Sequence, residues 1–184
     1  MMERFKGQKG YISLLKKYDL AFIAASALTC FLVYYAGLRI WHSKANIGTV
    51  VAICSLLPAC KRLTNLIMIF MFKGIDDSDY KKIEPNLKKG WFTLCDMLFS
   101  TEKFMLEFDH VVMTNSKMII LSKMSKEKNT YALDYFRTAF KKRALSMKVS
   151  LYTDADEYAA VLSKTDAESF TNEKASEYVT SLMV

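Results

Sequence analysis

The sequence predicts an N-terminal transmembrane helical hairpin followed by a small α/β (α+β) cytosolic domain, with a central mixed sheet flanked by helices. Three observations predict it. Apolar residues concentrate before residue 72, in two runs close to the roughly 20 residues that cross a hydrocarbon core. Charge divides at the same place: up to Phe72 there are 9 basic and 2 acidic residues, and from Lys73 onward 17 of each, so the net +7 belongs to the first part. Beyond it the apolar spacing changes between helical and strand periods, as a layered α/β unit requires. With 184 residues, 52% hydrophobic and 24% charged, the chain has room for one modest domain and additional apolar mass.

Residues 1–19 are expected to be a basic cytosolic N-terminus, with Arg4, Lys6, Lys9, Lys16 and Lys17. Residues 20–72 form the expected hairpin. Its first span, Leu20 to Trp41, carries no charge until Arg39, and Tyr34, Tyr35 and Trp41 gather at its second end, where amphipathic rings prefer the interface. A secretory signal would have a shorter apolar core and a small-residue cleavage site, which Tyr-Ala-Gly-Leu-Arg does not resemble. The second run, Ile47 to Cys60, covers only about 21 Å as a helix. Lys61 and Arg62 must therefore snorkel, or the helix must run along the interface to Phe72. The turn is expected near His42, Ser43, Lys44 and Asn46. Cations flanking both outer ends place both termini in the cytoplasm, and the two spans offer no buried acid for an ion path. The pI near 9.1 then reports attraction to anionic lipid headgroups rather than a nucleic-acid partner. Lys141, Lys142 and Arg143 read first as a solvated helix end and second as a phosphate patch.

Residues 73–90 read as a polar linker with an acidic group at Asp76, Asp77 and Asp79. In the domain, 91–162, Trp91, Leu94, Cys95 and Leu98 have helical spacing, so Trp91 to Met105 is expected to be an amphipathic helix. Phe108 to Lys123 reads as strand, tight turn at Thr114-Asn115-Ser116-Lys117, and buried strand. Lys123 to Asn129 is a charged loop, Tyr131 to Arg143 an amphipathic helix, and Met147 to Tyr152 a third strand. Thr153 is expected to cap a helix from Asp154 to Leu162. Residues 163–184 are a polar acidic tail with a last helix through Tyr178. Cys30, Cys54, Cys60 and Cys95 show no metal spacing and read as reduced small hydrophobes.

The element order, with Phe108-Asp109-His110-Val111-Val112, a turn and a second apolar strand, resembles the nuclease-related domain, NERD, a family similar to restriction-endonuclease-like folds and often set beside transmembrane modules in bacteria. The resemblance covers roughly residues 91–162 and implies a bacterial plasma-membrane location. Its pattern is Asp-His-Val-Val, a glycine-containing turn, and a strand closing in Glu-x-Lys. Such a site holds a divalent metal, Mg2+ or Mn2+, between carboxylates on adjacent strands, so that it polarises a phosphodiester and activates water while a lysine assists. By the resemblance Asp109 would be the first ligand and Lys123 the lysine. The strand from Met118 to Leu121 has no carboxylate, Ser122 is a weak substitute, and the turn lacks glycine. Glu107 lies two residues from Asp109 and so shares its strand face; Glu102 is a further acid nearby.

Two readings follow. The favoured one is a non-catalytic interaction or scaffold module on a degenerate nuclease-related fold, with no cofactor. There Asp109 and His110 cap or hydrogen-bond the sheet edge. Its partners are the lipid bilayer, anionic headgroups, and another protein or a second copy of itself. The alternative is a metal-dependent nuclease acting on nucleic acid through Asp109, Lys123 and Glu107. A remote third rests on Pro58-Ala59-Cys60-Lys61-Arg62, which resembles the Pro-Cys-His-Arg motif of alkylguanine-DNA alkyltransferases and implies a nucleophilic Cys60. No histidine adjoins Cys60 to activate it.

Overall fold

The structure is a computed structural model that describes residues 7–41, 47–166 and 169–183. It forms two compact units, Ile12–Lys73 and Gly74–Val184, the latter joined by the N-terminal residues through Tyr11. Arg4, Lys6 and the expected turn residues His42, Ser43, Lys44 and Asn46 lie outside the described residues.

The first unit consists of two helices, α1 (Tyr11–Trp41) and α2 (Ile47–Phe70). At 1.5 Å per residue they are about 46 and 36 Å long. Both are long and apolar enough to cross a membrane. The first helix begins well before Leu20, because Ile12 and Leu15 bury an apolar stripe ahead of the uncharged run. The second runs unbroken through Pro58, Lys61 and Arg62, although Pro58 cannot donate to the carbonyl of Cys54. Hydroxyls inside the helices donate to carbonyls of the preceding turn: Thr29 to Ala25, Ser55 to Ala52 and Thr64 to Cys60.

The expected spans, from Leu20 to Trp41 and from Ile47 to Phe72, carry no acid, but α1 extends past the first of them to include one. Asp19 lies within α1 at 1% exposure, and its Oδ1 receives the Arg62 guanidinium at 3.1 Å. Arg62 also lies over the rings of Tyr18 and Phe22. Lys16 Nζ donates to the carbonyls of Phe70 and Phe72, and so caps the C-terminal end of α2 with a cation.

In the second unit, α3 (Asp77–Ile83) and a single 3-10 turn, Glu84–Asn86, replace the expected linker. Then come β1 (Phe92–Ser100), β2 (Met105–Met113), β3 (Lys117–Leu121), α4 (Lys126–Lys142), β4 (Lys148–Tyr152), α5 (Ala155–Lys164) and α6 (Glu173–Ser181). The mixed sheet has the order β1-β2-β3-β4; the first three strands are antiparallel, and β4 runs parallel to β3 after the crossover through α4. On one face Met97, Phe99, Phe108 and Ile120 pack against Phe136 and Phe140 of α4 and Val179 of α6. On the other, Val112, Ile119 and Leu121 pack against Ile83, Tyr158 and Leu162.

The helix expected over Trp91 to Met105 is a strand, and the cause is local. Asp96 has φ +51, in the left-handed region that few non-glycine residues adopt. The face alternation breaks there: Leu94 and Met97, three residues apart, point into the same core layer. The partner strand does likewise with Phe108 and Val111, and the pairing continues in register from Cys95↔His110 to Met97↔Phe108. A strand buried on both sides and kinked once thus reproduces an i, i+3 apolar spacing. The β2–β3 hairpin forms where expected, closed by Thr114 N donating to Lys117 O at 2.9 Å. The cap of α5 is Asp154, which accepts from Asp156 N, and not Thr153, which lies one residue too early. The expected loop from Lys123 is shorter, since α4 starts at Lys126.

Candidate functional site

Strand β2 presents Glu107, Asp109 and His110, and Lys123 follows β3 beside it. Asp109 is 7% exposed, and its Oδ2 accepts the main-chain N–H of Lys123 at 3.2 Å. Burial and then the negative charge of Glu107 raise its carboxyl to about 6, against the opposing pull of Lys123. Glu107 Oε1 accepts the N–H of Gly74 at 2.9 Å. The Lys123 ammonium turns to the start of α3, where it pairs with Asp79 and with Asp76 Oδ2, the latter at 3.1 Å. The hydrogen bond to Asp79 is the largest cause of its raised pKa.

The position where the resemblance expects glutamate is Leu121, which is fully buried in the core layer facing α5. Ser122, also sealed, lies 3.1 Å from both the Glu107 carbonyl and Asn129 Oδ1, and braces the start of α4. Glu102 sits exposed in the β1–β2 turn, seven residues before Asp109, and the strand from Met105 alone puts about 13 Å between that turn and Asp109. Among the described residues no three His, Cys, Asp or Glu side chains are placed to hold a metal ion. The donor set does not fit a bracketed divalent cation, because the second strand offers a leucine and the nearby carboxylates already accept main-chain N–H groups.

The placement of Asp109 and His110 at a sheet edge is corrected, since β2 is an interior strand. His110 is fully buried, its Nδ1 lies 2.9 Å from the Tyr158 hydroxyl, and burial lowers its pKa to about 4, so the ring is neutral. Cys60 is exposed on α2, and none of the described hydrogen bonds gives its thiol a base. Cys95 is buried in β1, where burial and then the charge of Asp96 push its thiol up to about 12.

One residue that organises this region was not singled out from the sequence. Asp96, opposite Asp109 on β1 and 1% exposed, accepts from Ile75 N at 2.8 Å through Oδ1 and from Gly10 N at 2.7 Å through Oδ2. Gly10 immediately precedes α1, and Ile75 lies shortly after α2. One carboxylate therefore holds both chain connections to the hairpin on the sheet. Gly74 has φ +77, and a Cβ there would stand 2.6 Å from Asp96 Oδ1, so only glycine lets the chain come this close. Gly7 O accepts from Cys95 N at 2.7 Å, and Lys9 pairs with Asp77 and lies over the Tyr80 ring. The available signal for Asp96 was an acid inside the otherwise apolar run Leu94 to Phe99.

Comparison of the chain with protein-family models, with curated proteins and with solved structures finds no match.

Proposed function

We propose that the chain is a membrane-anchored, non-catalytic interaction module, in which a nuclease-related scaffold keeps the fold and uses its acidic site as a clamp. The carrying observation is the set of partners taken by the carboxylates. Asp96, Glu107 and Asp109 accept N–H groups from Gly10, Ile75, Gly74 and Lys123, while the strand that should supply the second ligand supplies Leu121. A metal centre needs those oxygens facing an ion; here Asp96 and Glu107 face the chain that leads to the hairpin, and Asp109 faces the main chain of Lys123.

The anchor rests on α1 and α2, whose apolar side chains point outward and whose outer ends carry the cations. In this reading both termini are cytoplasmic, and the sheet unit stands at the anionic face of a plasma membrane. It is held there by the bilayer, by headgroups at Lys16 and Lys17, and by a protein partner or a second copy of the chain. The restriction-endonuclease-like assignment is supported by the adjacent β2 and β3 and by the crossover helix before a parallel β4.

The test uses the full chain in nanodiscs containing anionic lipid, titrated calorimetrically with Mn2+ and Mg2+ beside Asp109→Ala. The expected result is no saturable binding in either protein and no cleavage of DNA or RNA. One-to-one Mn2+ binding that disappears in the variant, with cleavage that follows it, would overturn the reading in favour of the nuclease. Reporter fusions at each end test the topology; an external signal from either terminus contradicts it.

A further inference from the structure

We propose that the exposed face of α4 and α6 carries a binding site for a nucleoside monophosphate, with the base on the tyrosines of α4 and the phosphate on Arg143, Lys142 and Lys174. The site lies on the helical layer away from the acidic clamp and does not depend on the reading given above. Two adjoining hollows, of about 460 and 450 Å³, share Arg143 and Tyr178. Volumes of this size suit a small ligand.

The first hollow runs along α4. Tyr131 and Tyr135 are one turn apart, with near-parallel rings at 6.5 Å, and they line its first end; Lys142 and Arg143 line the other. From Tyr135 to Lys142 the helix rises about 10 Å, which matches the reach of a nucleotide from base to phosphate. Cations alone would describe a site for any phosphate, and tyrosines alone a site for any apolar group. Their separation by one small-molecule length selects a ligand with a flat ring at one end and an anion at the other.

The cationic end is built rather than incidental. Arg143 lies 3.7 Å over the Tyr178 ring, so one face of the guanidinium is held while its N–H edge stays open for two oxygens of a phosphate. Ala144 adopts φ +54 without being glycine, and this turn lets Leu145 N reach Phe140 O at 2.9 Å. With the Arg143 N–H at 3.1 Å, that bond gives the Phe140 carbonyl at the end of α4 two donors. Among the described residues Lys142, Arg143 and Lys174 form no ion pair. Acids limit the charge the site accepts: Asp134 stands at the tyrosine end, 4.0 Å from Arg137, and Glu177 lines the second hollow beside Lys174. Three cations against Glu177 suit one phosphate better than a triphosphate.

The experiment titrates the full chain in nonionic detergent micelles with adenosine 5′-monophosphate, uridine 5′-monophosphate, ribose 5-phosphate and adenosine. A 5′-phosphorylated oligouridylate is added to separate a free nucleotide from one within a strand. Both nucleotides are expected to bind, with ribose 5-phosphate and adenosine each weaker by at least about tenfold, since each lacks one of the two contacts. Arg143→Gln, at an exposed position that leaves the core untouched, is expected to weaken the nucleotides by about tenfold or more, the loss of a charge-assisted hydrogen bond. Tyr131→Leu should weaken the nucleotides and leave ribose 5-phosphate unchanged. The proposal is overturned by no binding of the nucleotides, by ribose 5-phosphate or adenosine matching them, by full binding in Arg143→Gln, or by an oligonucleotide that binds where the mononucleotides do not.

Discussion

In the sheet unit Met97, Phe99 and Phe108 are sealed from solvent, whereas in the hairpin Phe31, Leu57 and Phe70 are 64, 66 and 72% exposed. The buried acids differ in the same sense. Asp96 is held by main-chain N–H groups, while Asp19 is held by the charge of Arg62. A unit that turns its apolar side chains outward and neutralises its acid with a cation suits a hydrocarbon solvent, in which no water completes a polar shell. A unit that hides its apolar side chains and uses an acid to bind backbone suits water. In the membrane-anchored reading proposed above, one chain meets two solvents, with the change of rule falling at Gly10 and Gly74, where Asp96 and Glu107 fasten both connections.

The largest expected effect breaks that fastening. Asp96→Ala removes two hydrogen bonds to a carboxylate and leaves two N–H groups without it, so the sheet unit should lose about 3–5 kcal/mol. Alanine also bears the left-handed backbone at this position less well than aspartate. The measurement is urea unfolding of the full chain in micelles, followed by Trp91 fluorescence; a loss under about 1 kcal/mol would show that Asp96 is not the clamp. Gly74→Ala should act through the same oxygen and add little to Asp96→Ala, because the two changes share a partner.

Next in size are two opposed pH effects in the sheet unit. Asp109 is raised from 3.8 to about 6, so between those values the native state keeps a proton that the unfolded chain has lost, and stability falls as pH rises through the window. His110 is lowered from 6.5 to about 4, so the unfolded chain binds a proton that the native state refuses, and stability falls as pH drops through nearly the same window. Each contribution is on the order of 3 kcal/mol and they oppose one another, so the parent protein should be nearly flat from pH 4 to 6.5. Asp109→Asn, which can still accept from Lys123 N–H, should leave a profile that rises with pH, and His110→Gln one that falls. Parallel profiles in the two variants would contradict the assignment.

A smaller effect is expected in the hairpin. Asp19→Leu leaves Arg62 without its acid, but that side chain is partly exposed and long enough to reach headgroups, so the loss should be about 1–2 kcal/mol rather than the larger cost of a sealed ion pair. Asp19→Leu with Arg62→Met should recover most of it, read as the thermal loss of helical signal in micelles. No recovery would mean that Arg62 stabilises the hairpin through Tyr18 and Phe22 alone.

The two units were not equally legible in the sequence. The hairpin could be read from Leu20 to Trp41 because span length is a property of consecutive residues. The β2–β3 turn was legible because Thr114 to Lys117 interrupts two apolar runs. Strand β1 was misread because Asp96 reverses its alternation, and the meaning of that acid depends on Gly10 and Ile75, distant in sequence. Asp109 and Lys123 were found as neighbours, as the structure places them, but the ammonium faces Asp76 and Asp79 rather than the Asp109 carboxylate. Spacing locates a residue on a strand; the direction of a flexible side chain depends on α3, whose short polar sequence carries no apolar period that marks it as a helix.

Lys123 therefore gives the smallest and most discriminating prediction. In a cleavage centre its ammonium would be indispensable, whereas here it is 47% exposed and pairs with exposed Asp76 and with Asp79, which is 14% exposed. Lys123→Met should lower stability by less than about 1 kcal/mol, and the difference should shrink with added salt. Asp76 and Asp79 would then lack their cation, but they stand at the N-terminal end of α3, where the helix dipole favours negative charge and limits the loss. The N–H of Lys123 would still reach Asp109, because that bond comes from the backbone and survives the substitution. A loss of several kcal/mol that salt does not reduce would place the ammonium in a sealed network with Asp109, and would restore the case for a charged centre in this unit.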